Sequence, residues 1–137
     1  MRHIAFRSLI AAFTVMTAVD QVKVMAQTVT TSDLTAAGAT YDTGSGLTIS
    51  QTSDGEYDGS LTGGGGLTIQ GAPSNIPTIT LGGINTYTGP TILDNANLTM
   101  KSGSSLSSSD FSLGHGSLNV SALTDFSINN VSGSGDN

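Results

Sequence analysis

Residues 57–106 read YDGSLTGGGGLTIQGAPSNIPTITLGGINTYTGPTILDNANLTMKSGSSL, a stretch that holds three copies of one short pattern. In each copy a Thr stands between two apolar residues, as in Leu67-Thr68-Ile69. The pattern recurs on both sides of the stretch, with Asn in place of Thr in the last copy. The five copies begin at Leu47, Leu67, Ile79, Leu98 and Leu118, at successive distances of 20, 12, 19 and 20 residues. Three of the four distances define a period near twenty.

Alternation within these triplets predicts β-strands. A strand turns successive side chains to opposite faces, so the outer residues of each triplet would be buried and the middle one would face water. A repeat of about twenty residues is typical of a solenoid in which each repeat forms one coil. One coil alone buries too little apolar surface to offset its loss of conformational entropy, so coils must stack. The sequence therefore predicts an all-β solenoid, a β-helix of about four to five coils.

The segments between the triplets are assigned more coarsely. Residues 27–41 leave room for a first strand or a cap, and no helix is predicted from residue 27 onward because helical periodicity is absent. The four glycines at 63–66 predict a turn, residues 73–77 a connection between two prolines, and residues 87–93 a strand. Residues 131–137 would end the chain at a turn without a polar cap, leaving strand edges open.

The first 26 residues have the features of an export signal. Two arginines precede an apolar run over residues 8–19, and Val24-Met25-Ala26 offers a cleavage site. The run is shorter than the roughly 20 residues that a membrane-spanning helix needs. The expected organisation is a signal-peptide helix over 1–26, recognised by the Sec export machinery, and a β-helix segment over 27–137. The alternatives are an N-terminal anchor helix, a poorly ordered tail, or cleavage after Ala18.

Removal of such a leader leaves an acidic chain without cysteine. Among residues 27–137, Lys101 is the only Lys or Arg, and nine acidic residues bring the formal charge to −8. This surface repels phosphate backbones and anionic headgroups, which excludes nucleic acid and direct lipid headgroup binding. Because no disulfide is available, the core itself must supply the stability.

Residues 57–106 resemble the passenger-associated strand repeat of bacterial autotransporters. That repeat joins a Tyr-x-Gly segment, a Gly-Leu turn, a strand ending in Leu-x-Leu-x-Gly, an Asn-Thr-Tyr-Thr-Gly-x-Thr core and a closing Asn-Leu. The core stands here as Asn85-Thr86-Tyr87-Thr88-Gly89-Pro90-Thr91 and is the specific part, while residues 73–77 replace a short Gly-Thr turn. One clear repeat is present, and residues 114–135 resemble the spacer between repeats. The matching residues singled out are Gly66, Leu67, Ile69, Leu81, Gly82, Asn85, Thr86, Tyr87, Thr88, Gly89, Thr91 and Leu98.

The resemblance implies a right-handed parallel β-helix that is the passenger domain of an autotransporter-like protein of a Gram-negative bacterium. Such passengers cross the periplasm and reach the cell surface or the extracellular space through a C-terminal β-barrel, and the repeat assists folding during secretion. The expected barrel would lie outside this chain, which is then an N-terminal fragment or a separately exported relic. The implied role is a non-catalytic stalk or adhesin module whose Thr, Ser and Asn faces contact a host or another cell.

An acidic segment, Asp54-Gly55-Glu56-Tyr57-Asp58-Gly59, matches the opening of an EF-hand calcium loop. The twelfth position of that loop would be Gly65, where a bidentate Glu is required. Asp54, Glu56 and Asp58 are therefore kept as a candidate calcium site against the simpler interpretation of a solvated acidic turn. No catalytic residue and no cofactor are assigned.

Other polar patterns favour structure over chemistry. The glycines at 63–66 are followed by neither the Lys nor the helix of a phosphate loop. His115 lies between two glycines, without the partners that a catalytic base or a metal site needs. Glycosylation sequons begin at Asn97, Asn119 and Asn130 and are interpreted as coil residues. Inward-facing Asn side chains are expected to form hydrogen bonds between coils.

The alternative function is a polysaccharide-acting β-helix enzyme, either a lyase or a hydrolase. Such lyases often use an Arg as the base together with Ca²⁺, and residues 27–137 contain no Arg. Hydrolases need paired carboxylates across a cleft. Because the acidic residues fall mostly at predicted turns, the non-catalytic passenger is the preferred interpretation.

Overall fold

Stacked parallel strands make up nearly the whole fold. The structure, a computed structural model, describes residues 26–124 and 126–133, and within these residues the chain winds into a β-solenoid of about five coils. The predicted all-β solenoid is thus confirmed. Except for Ala26, the expected signal peptide lies outside the described residues.

The described part of the chain contains thirteen strands and one helix. In chain order the strands are β1 (Gln27–Val29), β2 (Thr40–Asp42), β3 (Leu47–Ser50), β4 (Gly55–Tyr57), β5 (Ser60–Thr62), β6 (Leu67–Gln70), β7 (Thr78–Leu81), β8 (Ile84–Asn85), β9 (Thr91–Asp94), β10 (Asn97–Met100), β11 (Ser105–Leu113), β12 (Leu118–Asn119) and β13 (Ser127–Gly133). Helix α1 (Thr31–Ala37) lies between β1 and β2. All pairings between these strands are parallel.

Each complete coil crosses three sheets in turn. Sheet 1 stacks β1, β3, β6, β9, β11 and β13, and sheet 2 stacks β4, β7, β10 and β12. Sheet 3 contains β2 and β5 and is continued by β8, because the Thr86 N–H donates to the Leu61 carbonyl at 2.8 Å. The long strand β11 contributes first to sheet 3, where it pairs with β8, and then to sheet 1.

The five sequence triplets do not share one sheet. Those that begin at Leu47 and Leu67 pair in sheet 1, whereas those that begin at Ile79, Leu98 and Leu118 stack in sheet 2. The 12-residue distance, the one step shorter than the period, is the step from one sheet to the next within a coil. Each sheet has one buried face and one solvent-exposed face. The strands of both sheets therefore show the same alternation of apolar and polar residues.

The true coil length is twenty residues, with one longer coil. One inward column of sheet 1 follows the register Gln27, Leu47, Leu67, Thr91, Phe111 and Val131. The step from Leu67 to Thr91 is 24 residues and every other step is 20. The additional residues lie in the connection 71–77 between β6 and β7, where residues 73–76 are exposed. An insertion at this corner leaves the stacked columns in register.

Apolar side chains fill the interior in continuous columns. Complete burial of one Leu or Ile contributes about 1.5–3 kcal/mol, and each coil covers the apolar face of its neighbour. The triplets contribute most of these side chains, as predicted. The buried apolar residues are Leu34, Leu47, Ile49, Tyr57, Leu61, Leu67, Ile69, Ile79, Leu81, Tyr87, Leu93, Ala96, Leu98, Met100, Leu106 and Phe111.

A short helix caps the N-terminal end of sheet 2, and the prediction of no helix after residue 27 is wrong. Thr30 and Asp33 form a capping box, which satisfies the first free N–H groups of α1. Leu34 is fully buried and α1 packs on β4, so the helix takes the place of a sheet 2 strand in the first coil. Seven residues with one buried Leu are too few to show helical periodicity.

Two further boundaries differ from the sequence assignments. Residues 87–90 form a corner and the strand begins only at Thr91, because the segment turns from sheet 3 to sheet 1 there. At the C-terminal end, Val131 to Gly133 continue strand β13 and do not form a turn, while residues 134–137 lie outside the described residues. Among the described strands, β13 is the last of sheet 1.

Candidate functional site

The Asn85 side chain joins three successive coils. Its Oδ1 accepts from the Leu61 N–H of the preceding coil at 2.9 Å, and its Nδ2 donates to the carbonyls of Gly82 at 3.1 Å and of Ser105 in the next coil at 2.8 Å. Asn85 is fully buried, so these bonds replace the water that the amide loses on folding. The expectation of inward-facing Asn between coils holds for this residue.

Tyr87 packs into the interior two residues further on. Its hydroxyl shares a 2.5 Å hydrogen bond with the Thr91 Oγ1, and both residues are fully buried. Desolvation by burial raises the pKa of the Tyr87 phenol well above its ordinary value, and the hydrogen bond with Thr91 offsets only part of this rise. The pair therefore keeps a neutral, satisfied polar contact within an apolar core.

The backbone of residues 85–91 lies directly on the corner 61–66 of the coil before it. The Thr88 N–H donates to the Gly63 carbonyl at 3.0 Å, and the Leu67 N–H donates to the Pro90 carbonyl at 2.8 Å. A Cβ on Gly66 would lie 2.6 Å from the Pro90 oxygen, and a Cβ on Gly89 would collide with the backbone of Gly65. Glycine is required at this contact because the two corners approach so closely.

The other residues singled out from the sequence in this region are also structural. Leu67, Ile69, Leu81 and Leu98 are fully buried, while Thr86 and Thr88 face outward and contribute through their backbone N–H groups. Asn85, Tyr87 and Thr91 supply the buried polar contacts described above. Residues 85–91 therefore form a corner at which one coil is fitted to the next.

The acidic residues singled out from the sequence do not converge on a metal position. Gly55 to Tyr57 form strand β4, whereas an EF-hand needs a loop between two helices. Asp54 Oδ1 accepts from the Thr78 N–H at 2.7 Å, and Glu56 and Asp58 both pair with Lys101. Among the described residues no group of three or more His, Cys, Asp or Glu side chains is arranged to hold a metal ion.

Lys101 connects coils that are not adjacent. Its Nζ lies 2.7 Å from Asp58 Oδ1 and also contacts Glu56, although residue 82 stands between positions 58 and 101 in the stack. Gly82 makes this reach feasible, because a Cβ there would lie 2.7 Å from Asp58 Oδ1. The hydrogen bond from Lys101 lowers the pKa of Asp58, and the bond to Asp58 together with that to Glu56 raises the pKa of Lys101. Sequence reasoning missed this cluster because it requires the stacking register.

A column of side chains, all small and polar except Ile92, runs along the outer face of sheet 1. Its members occupy the middle positions between inward residues, and their register gives a spacing of about 4.8 Å along the stack. Near its centre Ile92 is 39% exposed. We call this the outer column, and it comprises Thr28, Thr48, Thr68, Ile92, Ser112 and Ser132.

The sequon asparagines take part in hydrogen bonds within and between coils. Asn97 Oδ1 accepts from the Ser117 N–H at 2.9 Å, and Asn130 Nδ2 donates to Asp110 Oδ1 at 2.8 Å. Asn119 Oδ1 accepts from the Ser121 N–H at 3.0 Å. His115 is exposed before β12, and its carbonyl accepts from the Ala96 N–H.

Comparisons with protein-family models, curated protein sequences and solved structures found no match. Within residues 26–124 and 126–133 there is no helix with the length and apolar character needed to cross a bilayer.

Proposed function

We propose that this chain is a non-catalytic exported passenger module of an autotransporter-like protein, with a stalk or adhesin role. One observation carries the proposal: residues 85–91, which resemble the family repeat, form the corner that fits their own coil to the coils beside it. The Asn85 side chain bonds to both the preceding and the following coil. A motif whose hydrogen bonds join one coil to the next suits a chain that folds coil by coil during secretion.

A stalk or adhesin role fits the outer faces of the coils. The outer column presents hydroxyl groups and one exposed Ile on a regular parallel sheet, and its register follows the solenoid axis. Five strand spacings of about 4.8 Å give the column a length of about 24 Å along the solenoid axis. A longer stalk would need further coils. In this proposal the outer column makes host or cell-surface contacts.

Export in this proposal depends on partners that act at the two ends of the chain. The Sec machinery recognises residues 1–26, and a C-terminal barrel outside these 137 residues carries the passenger from the periplasm to the cell surface of a Gram-negative bacterium. The acidic character of residues 27–137 is consistent with a partner other than nucleic acid.

The passenger role is tested by whether the chain reaches the outer surface of a Gram-negative cell. We would join the full chain to the translocating barrel of an autotransporter, identify the mature N-terminus by mass spectrometry, and measure cleavage by a protease added outside intact cells. Cleavage after Ala26 and external access are expected, with delayed arrival for Asn85→Ala and normal arrival for its exposed neighbour, Thr86→Ala. Retention of the chain in the cytoplasm with residues 1–26 attached would contradict the proposal, as would unchanged arrival of Asn85→Ala.

A polysaccharide lyase or hydrolase is the second candidate, and one surface feature favours it. A shallow groove is lined by Asp54, Gly55, Glu56, Thr78 and Thr80, which places two carboxylates beside hydroxyl groups. Both carboxylates already have structural partners, in the Thr78 N–H and in Lys101. Incubation of the purified chain with pectin-like and other glycans separates the candidates, since turnover that is lost in Asp54→Asn would establish the enzyme.

A further inference from the structure

Two hydrogen bonds hold Gln27 at the start of the solenoid. Its backbone N–H donates to the Gly46 carbonyl at 3.0 Å, and its side-chain Oε1 accepts from the Tyr41 hydroxyl. Strand β1 begins at Gln27 and pairs in register with β3 along all three of its residues. The main-chain nitrogen and the side-chain amide of Gln27 are therefore held by separate partners, one at the corner before β3 and one in β2.

Tyr41 is an anchored partner for that amide. It lies in β2, in register with the fully buried Leu61 of β5, and it packs against the hydrophobic core. Burial raises the pKa of the Tyr41 phenol, and the nearby Asp33 charge raises it further, so the hydroxyl stays protonated and remains a donor. Because the ring is packed in place, its hydroxyl does not travel with the Gln27 side chain when that side chain changes rotamer.

Removal of the leader would make Gln27 chemically reactive. This step rests on the proposed function, in which cleavage after Ala26 leaves Gln27 as the first residue of the mature chain. An N-terminal Gln can cyclise: its neutral α-amine attacks the side-chain Cδ, the new N–Cδ bond closes a lactam ring, and the Cδ–Nε2 bond breaks. The amine gives a proton to the departing nitrogen, which leaves as ammonia, so the reaction needs no other reactant.

Closure of this ring needs a geometry that the two contacts oppose. The Cδ atom must come within bonding distance of the main-chain nitrogen, and Oε1 moves with it because both atoms belong to one amide. Pairing of β1 with β3 fixes the nitrogen, and the Tyr41 hydroxyl retains Oε1. The hydrogen bond from Tyr41 must therefore break before the ring can close, and its free energy adds to the barrier.

We propose that the contact between Gln27 and Tyr41 is a latch that keeps the mature N-terminus as an open glutamine with a free α-amine. The latch also preserves a charge. An α-amino group has an ordinary pKa of about 7.7–8.0 and is mostly protonated at neutral pH, whereas the lactam is uncharged. Lys101 is the only Lys or Arg of residues 27–137, so the retained α-ammonium adds a second positive charge to an acidic chain.

Loss of ammonia from the N-terminus tests the latch. The full chain is exported while joined to an autotransporter barrel, as above, and mass spectrometry of its N-terminal peptide follows the cyclised fraction over days at neutral pH. A synthetic peptide of residues 27–36 gives the rate for an unrestrained Gln. The exported chain is expected to cyclise at least about fivefold more slowly, which corresponds to the roughly 1 kcal/mol of one hydrogen bond. Equal rates for the chain and the peptide would overturn the proposal.

Two tyrosine variants separate the latch from general stability. Tyr41→Phe removes only the hydroxyl and is expected to raise the cyclisation rate about fivefold, toward that of the peptide. Tyr57→Phe is the matched control, because the Tyr57 hydroxyl donates to the Gly38 carbonyl, and it is expected to leave the rate unchanged. Equal rates for wild type and Tyr41→Phe, or the same increase in both variants, would overturn the latch. Circular dichroism checks that both variants fold, and the comparison of wild type with the peptide remains decisive should Tyr41→Phe not fold.

The first residue of the exported chain separates this proposal from the proposed function. A chain that begins at Gln27 on the cell surface but cyclises as fast as the peptide would overturn the latch alone. A chain that reaches the surface with a different first residue would also overturn the latch and leave the passenger role standing. Retention in the cytoplasm with residues 1–26 attached would overturn both.

Discussion

One side chain, that of Asn85, holds three coils in register. An amide is suited to this position because it offers an acceptor on one side and two donors on the other. Leu61, Gly82 and Ser105 use all of these groups through their backbones. A hydrophobic residue of similar size would fill the space but leave the Leu61 N–H and two carbonyls without this partner, which is costly in a dry interior.

Replacement of Asn85 by Ala is expected to lower the free energy of unfolding by about 3 kcal/mol, because buried backbone groups lose their partner and a cavity forms. Urea denaturation followed by circular dichroism measures the change. Thr86→Ala is the control, and it is expected to change the free energy by about 0.5 kcal/mol or less because the Thr86 side chain is exposed. Equal losses for the two variants would show that the amide network contributes little.

Tyr87 is expected to make stability fall at alkaline pH. Burial raises its pKa in the folded state, so its contribution is fully present below the unfolded value of about 10 and is lost as pH rises above it, when only the unfolded chain releases the proton. The pKa values of Tyr41 and Tyr57 are raised too, by desolvation. Tyr87→Phe should therefore make the alkaline decline of the urea midpoint shallower but not abolish it. An unchanged slope would contradict the assignment.

Asp58 and Lys101 provide a second titration test. The hydrogen bond from Lys101 lowers the Asp58 pKa, so this contribution is present above the ordinary Asp value of about 3.9 and is lost as pH falls through the lowered one. In Lys101→Met the Asp58 pKa is expected to rise toward the ordinary value, measured by carboxyl NMR titration. Asp33, whose pKa is lowered by its hydrogen bonds with Thr30 and not by Lys101, serves as the internal control and should not follow. An unmoved Asp58 pKa would show that the pair does not persist in solution.

Strands and corners have different roles in the solenoid. The strands bury one side chain in two, whereas the corners decide how many residues each coil contains. Helix α1 closes the first coil in place of a sheet 2 strand, with Leu34 as its buried contact. The connection 71–77 shows that a corner can be enlarged without moving the columns on either side of it.

Removal of residues 73–76 is expected to leave the fold intact. These four residues are exposed, and their deletion brings the 24-residue step to the 20 residues of the neighbouring coils. The melting temperature and the strand signal in circular dichroism should stay close to wild type. Removal of four residues from β6, Leu67–Gln70, is the matched comparison and should abolish cooperative unfolding. Loss of structure in the first variant would mean that the connection itself carries stability.

The molecule as a whole is a stack, and a stack is least stable where it ends. Central coils have a neighbour on both sides, whereas the side chains of β12 and β13 are partly exposed in the described residues. Solenoid stability is a sum of coil and nearest-neighbour terms. The two ends of the described stack should therefore differ, because helix α1 covers the N-terminal one.

Hydrogen exchange should reveal this gradient. The slowest amide exchange is expected in β6, β7, β9 and β10, and the fastest among the strands in β12 and β13. Mass spectrometry of peptides after timed exchange measures it, with the fully unfolded chain as the reference. Uniform protection from β1 to β13 would indicate a single cooperative unit without a weak end.

The sequence was sufficient for the solenoid and its period, because burial in each coil forces the same alternation on residues about twenty apart. The sequence did not assign Leu67 and Ile79 to different sheets, because strands of all sheets show the same alternation of buried and exposed residues. Helix α1 was missed because its stability comes from the Thr30 cap and from Leu34, not from a periodic run. The Lys101 cluster depends on residues more than 40 positions apart and becomes readable only once the register is known.

The outer column has a consequence for any partner with a repeating surface. Such a partner meets side chains at a fixed interval of about 4.8 Å, with hydroxyl groups at five of the six positions and Ile92 at the other. A contact that is weak when made once is then made several times by a single rigid body. After the first contact forms, the others become intramolecular and act at high effective concentration. Loss of the Thr48 or Thr68 hydroxyl alone would then change the binding of such a partner little. An insertion that shifts one coil out of register would weaken every contact beyond that coil.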